Sequence, residues 1–70
     1  MRFCRHAKNR MRLHGVTGEE VAAIISPANR VGEDPNGNLL YAGTVRGLSL
    51  CVVLALNDLT TVITVYDLEA

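Results

Sequence analysis

His6 and Arg10 stand four residues apart in His6–His14, a stretch with no glycine, proline or β-branched residue. In a helix this spacing places an imidazole and a guanidinium one turn apart on the same side. Imidazole is the side chain best suited to moving a proton near neutral pH, and a guanidinium can hold a phosphate through two parallel hydrogen bonds. Cleavage of RNA by its own 2′-hydroxyl needs a base, an acid and a cation for the charged phosphorane, and this pair offers one proton carrier and one cation. The same pair has a structural alternative, in which His6 bonds a backbone carbonyl and Arg10 pairs with a carboxylate on a strand.

The surroundings of this pair are strongly polarised. Residues 1–14 hold five of the seven basic side chains (Arg2, Arg5, Lys8, Arg10, Arg12), both histidines and no acid, for a formal charge of +5. Residues 15–70 carry all seven carboxylates with Arg30 and Arg46, for a charge of −5. Such segregation points to a partner rich in phosphate or carboxylate. Arg5, Lys8 and Arg12 fall on the outer side of the helix, where they either contact such a partner or form an ordinary solvated face. Cations crowd the helix N-terminus against the macrodipole, and no acid at i+4 relieves them. Arg46, at a strand end beside Gly47, is a candidate second phosphate-holding cation.

Other chemistries find little support. His6 and His14 lie eight residues apart, about 12 Å along a helix, too far to share a metal ion. With Cys4 the two histidines make no metal-binding set, and His14 reads as a partly buried ring near the helix C-terminus. No glycine-rich phosphate loop, pair of catalytic carboxylates or Ser/His/Asp trio stands out, and no cofactor is expected. Cys4 and Cys51 are too few for a disulfide framework. The longest apolar run, Leu48–Leu56, is too short to span a membrane. The basic N-terminus lacks the apolar segment of an export signal, so a cytoplasmic setting is expected.

The elements that must position these groups can be read in turn. Arg2–Cys4 reads as a short strand, and His6–His14 as a helix ended by Gly15. Thr17-Gly18-Glu19-Glu20 has the form of a capping box, with Val16 and Val21 as a hydrophobic staple. The second helix is expected to run to about Ser26, burying Val21, Ile24 and Ile25 before Pro27. Strands are predicted over Arg30–Glu33, Leu39–Arg46, Leu48–Leu56 and Thr61–Asp67, joined by short turns as an antiparallel meander. Leu48–Leu56 is apolar on nearly both faces, as expected of a central strand covered on two sides. On the last strand Thr64 and Tyr66 alternate with Ile63 and Val65, and Val62 falls on the Thr64 side. The expectation is one α+β domain over residues 1–70, in the order (β)ααββββ, with two helices on one face of a twisted sheet.

The pattern His6-x-x-x-Arg10-Met11-x-x-x-Gly15-Val16-x-x-Glu19-Glu20-Val21, followed by Gly43, Leu50-x-Val52-Val53 and Ile63-Thr64-Val65-Tyr66, resembles the small bacterial family called domain of unknown function (DUF) 4258. Its element order is similar to that of the RelE/BrnT-type toxins of toxin–antitoxin pairs. This resemblance implies RNA binding and metal-independent RNA cleavage. It casts His6 as acid or base, Arg10 and Arg46 as phosphate ligands, and Tyr66 as an assisting proton carrier. Thr64 and Tyr66 would occupy the open sheet face near an RNA groove, while Arg5, Lys8 and Arg12 steer the nucleic acid. The chain ends in Asp67, Glu69 and Ala70, whereas many RelE-like toxins end in a basic, aromatic tail. The rival reading is a non-catalytic module that forms a homo-oligomer through its sheet, or docks an acidic protein such as an antitoxin through the first helix.

Overall fold

The computed structural model describes residues 1–69. Strand β1 (Arg2–Phe3) leads into helix α1 (Arg5–His14) and helix α2 (Gly18–Ile24). A 3₁₀ turn (Pro27–Asn29) then opens four strands: β2 (Arg30–Glu33), β3 (Leu39–Val45), β4 (Leu48–Leu54) and β5 (Thr61–Asp67). The strands form one sheet in the order β1-β5-β4-β3-β2. β2 to β5 run as the expected antiparallel meander, whereas β1 pairs with β5 in parallel. The molecule is an α+β domain with two N-terminal helices packed on a five-stranded mixed sheet.

Local chemistry sets the helix ends. Cys4 caps α1: its Sγ accepts from the Ala7 N–H at 3.5 Å and donates to the Ile63 carbonyl at 2.9 Å, so one thiol fixes both the helix start and its place on β5. Gly15, at φ 70°, closes α1 in the left-handed conformation favoured by glycine. The capping box of α2 is complete, with the Thr17 N–H donating to Glu20 Oε1 at 2.9 Å and the Glu20 N–H donating to Thr17 Oγ1 at 3.1 Å. α2 stops at Ile24, two residues before the expected end. The chain after it turns into the 3₁₀ segment led by Pro27, which Asn29 ties back through its Nδ2 to the Ile24 carbonyl at 2.9 Å.

The core lies between the helices and one face of the sheet. Ala7 and Met11 of α1 and Val21 and Ile24 of α2 meet Val45, Leu50, Val52, Leu54, Val62 and Val65. Val62 and Val65 are both fully buried in this core, although strict alternation would place Val62 with Thr64. The pairing explains the departure. Leu54 faces Val62 and Val53 faces Thr64, so Ile63 is the extra residue of a β-bulge that resets the parity of β5. Thr64 and Tyr66, opposite Val53 and Cys51, lie on the face away from the helices.

β4 is central in the sheet, but it is covered by helices on one face alone. On the other face Cys51 and Val53 are shielded nonetheless, at 1% and 5% exposure. Their cross-strand neighbours are Tyr66 and Thr64 on β5 and Ala42 and Leu40 on β3.

Acidic turns tie the far end of the sheet. Asp34 Oδ1 accepts from the N–H groups of Asn36 and Asn38, and Asn38 Oδ1 accepts from Leu56 N–H, joining the β2–β3 and β4–β5 connections. Asp58 Oδ1 accepts from the Thr60 N–H and hydroxyl, and its Oδ2 accepts from the Thr61 hydroxyl at 2.8 Å.

Two expectations follow. A Cβ added at Gly43 would lie 2.8 Å from Cγ1 of the buried Ile24, so Gly43→Ala forces α2 away from β3. It should lower stability by about 1–3 kcal/mol in urea denaturation. The Thr60 and Thr61 hydroxyls hold the Asp58 carboxyl at about 2, below its ordinary 3.8. A carboxyl lowered by folding contributes stability that is complete above its unfolded value and lost as pH falls through the folded one. The melting-temperature advantage of the native chain over Asp58→Asn should therefore be constant above pH 4 and shrink as pH approaches about 2.

Candidate nucleic-acid interface

Helix α1 meets the sheet through a stripe two residues wide, Ala7 and Met11. With those positions turned inward, the helical period turns Arg5, His6, Lys8, Asn9 and Arg12 outward, and all five are exposed. Arg2 is exposed on the adjoining strand, and Arg10 is half-buried along the edge of the stripe. Two ion pairs occur among the described residues, Arg30 with Glu33 and Arg46 with Glu20. None of the five cations of Arg2–Arg12 takes part in either, and the first turn of α1 contains no acid. Cations thus crowd the N-terminal part of α1, at the positive end of its own helix dipole.

His6 and Arg10 are in the positions their spacing predicts, and neither side chain has a hydrogen-bond partner among the described residues. The other expected members of a cleavage site are elsewhere. Tyr66 and Thr64 lie on the opposite face of the sheet, with the β-strand layer between them and α1. The neighbouring Cys51 thiol, and to a lesser extent desolvation, also push the Tyr66 phenol above its ordinary range. Arg46 is at the far end of α1: its guanidinium donates to Glu20 Oε2 and to the carbonyl of Gly15, the residue after the helix. Nine residues separate Gly15 from His6, about 13 Å of helix. The structure thus places His6 and Arg10 on the same helix as Arg5, Lys8 and Arg12, and separates them from Arg46, Thr64 and Tyr66.

Arg46 occupies a position that residue type alone would not assign to it. With Gly47 it forms the two-residue β3–β4 turn at φ 46° and 83°, where asparagine and glycine are usual. The contacts to Glu20 and Gly15 bind this turn to the α1–α2 junction, which accounts for a side chain being kept in a strained backbone conformation. Glu20 takes both the Thr17 N–H and Arg46, and the Thr17 bond foremost, with Arg46 adding to it, holds its carboxyl below the ordinary carboxylate range.

Beside this pair lies an open hollow of about 380 Å³, with an apolar floor of Ala23, Ile24 and Val45 and polar walls of Glu20, Asn29, Thr44 and Arg46. It contains none of His6, Arg10 or Tyr66. Sequence reasoning treats Glu20 as a cap and does not single out Asn29 or Thr44. The signal for the hollow is three-dimensional, since it depends on where β2 leaves β3.

His14 is the one described residue with a buried side-chain polar atom lacking a partner, its Nε2. No group of three His, Cys, Asp or Glu side chains among the described residues is placed to hold a metal ion. No helix is long and apolar enough to cross a membrane. No family model matches the chain, and no curated protein or solved structure shows significant similarity to it.

These placements give distinct expectations for the two kinds of residue. His6→Ala removes an exposed, unbonded side chain and should change unfolding free energy by less than about 0.5 kcal/mol. Arg46→Ala should lower the melting temperature measurably more than His6→Ala, because it frees the β3–β4 turn from Glu20 and Gly15.

Proposed function

We propose that the chain binds RNA through the cationic face of α1, with Arg2, Arg5, Lys8 and Arg12 contacting successive phosphates and Arg10 supporting them from the stripe's edge. The observation that carries this reading is the cluster of five cations in residues 2–12, four of them exposed and none in an ion pair. Four of the five are arginines, whose planar fork suits phosphate oxygens. A phosphate backbone fits this face better than an acidic protein does. Protein interfaces are built around buried apolar or aromatic anchors, and the exposed side of α1 offers Leu13 alone.

Cleavage is not included in the proposal. His6 and Arg10 supply a proton carrier and an anion ligand, but Tyr66 and Arg46 are too far away to complete the set. The RelE/BrnT resemblance rests on element order, and an order of elements does not fix chemistry. A cytoplasmic setting belongs to the same reading, supported by the free thiols of Cys4 and Cys51 and by the location of the ligand class.

Binding of a fluorescent single-stranded RNA 20-mer, followed by anisotropy over a range of salt concentrations, tests the reading. Four phosphate contacts predict a slope of log K against log[salt] of about −3. Arg5→Glu with Arg12→Glu should abolish binding, whereas His6→Ala should leave affinity within about two-fold and release no cleavage products. Salt-independent binding, or full affinity in the charge-reversed variant, would refute the assignment.

A further inference from the structure

β2 accompanies β3 through the pairs of Leu39, Leu40 and Tyr41 and no further. From Ala42 to Val45 the outer edge of β3 has no strand beside it among the described residues. The direction of its main chain follows from the ladder. Ser49 faces Thr44, and the Ser49 carbonyl accepts from the Leu68 N–H at 2.8 Å, on the β5 side. In an antiparallel pair, opposed residues either both point their N–H and C=O toward each other or both point them away. Thr44 therefore directs its N–H and C=O outward, at the free edge.

Sheet edges are normally protected by charge, proline, bulges or a covering element. β2 shows such protection, with a bulge between Arg30 and Gly32 and the charged Arg30 and Glu33. Ala42-Gly43-Thr44-Val45 carries no charge and no proline, and the element packed nearest this end of β2 is the short 3₁₀ turn Pro27–Asn29, which pairs with no strand. Beside it is the hollow, whose floor is apolar and whose Arg46 and Glu20 neutralise one another.

We propose that the free edge of β3 and this hollow form a docking groove for an extended segment of a partner protein. The segment adds as a strand beside Ala42–Val45, exchanging two main-chain hydrogen bonds with Thr44, and seats a small uncharged apolar side chain on Ala23, Ile24 and Val45. A donor and an acceptor projecting from one residue are the complement of another peptide chain. An RNA base suits the hollow less well: no aromatic ring lines it for stacking, and the Arg46 guanidinium is committed to Glu20 and Gly15. The groove is separate from the cationic face of α1, so the two assignments stand or fall independently.

The test is a random octapeptide library selected against the isotope-labelled native chain, with the enriched peptides titrated by amide NMR. Saturable shifts are expected at Ala42–Val45, Glu20, Asn29 and Arg46. Methylation of alternate peptide nitrogens should weaken binding at least ten-fold in one of the two registers. Thr44→Pro should do the same, since it removes an N–H that the β3–β4 ladder does not use. The N-methylated peptides keep the test decisive if that variant fails to fold. No enrichment, or enriched peptides indifferent to methylation in both registers, would overturn the proposal. So would the same resonances shifting on dilution, which would assign the edge to a second copy of the chain, or shifting with an RNA oligonucleotide, which would assign the hollow to RNA.

Discussion

The narrowness of the apolar stripe on α1 constrains everything that faces solvent. Ten residues offer the core two fully inward positions, Ala7 and Met11, and every other side chain must be accommodated at the rim or outside. A helix this short is not stable alone, so packing holds it. Ala7, at 0% exposure, lets the helix backbone approach β5 closely, while the Cys4 thiol fixes its start and Gly15 its end. The orientation of the cationic face is thus a consequence of which two residues are apolar.

The sheet meets a related constraint from the other side. The helices cover one face, and the bulge at Ile63 allows β5 to place both Val62 and Val65 under them. Without that extra residue, one valine of the two would point to the uncovered face, and the core beneath α1 would lose a fully buried side chain. The uncovered face is sealed by its own neighbours, with Cys51 and Val53 shielded by the side chains beside and across from them. Four-residue β2 is too short to escort seven-residue β3 to its end, and the open edge beside α2 is the geometric remainder.

Elements whose signals are local were legible in the sequence. The Thr17–Glu20 box and Gly15 as the closing residue each encode their conformation within a few residues. The outward positions of Arg5, His6, Lys8 and Arg12 were legible for the same reason, because helical period alone sets them. Where long-range pairing decides, the sequence was silent. Val62 reads as partner to Thr64 until a bulge shifts it, and an apolar β4 reads as doubly covered when cross-strand neighbours shield its second face. Arg46 reads as a free cation because the acid it meets is 26 positions away. Tyr66 lies on the open face that its alternation with Val65 predicts, but nothing in the spacing shows that the sheet separates this face from His6.

The distribution of charge along the chain decides which cations are structural. Arg30 and Arg46, the two that lie among the carboxylates, are the two that form ion pairs. The five that precede Gly15 have no acid near them in sequence, and none of them forms an ion pair in the fold, although Arg2 lies near enough to Asp58 to favour its carboxylate. Lys8 and Arg12, four apart on one helix, repel each other by about 0.2–0.5 kcal/mol, and Arg5 at the first position adds an unfavourable interaction with the dipole. On the proposed RNA-binding reading, a polyanion laid along the helix would relieve repulsion the fold leaves in place, and binding would raise the stability of the folded chain by mass action. A surface that was merely solvated would gain as much from interspersed acids, and the first fourteen residues contain none.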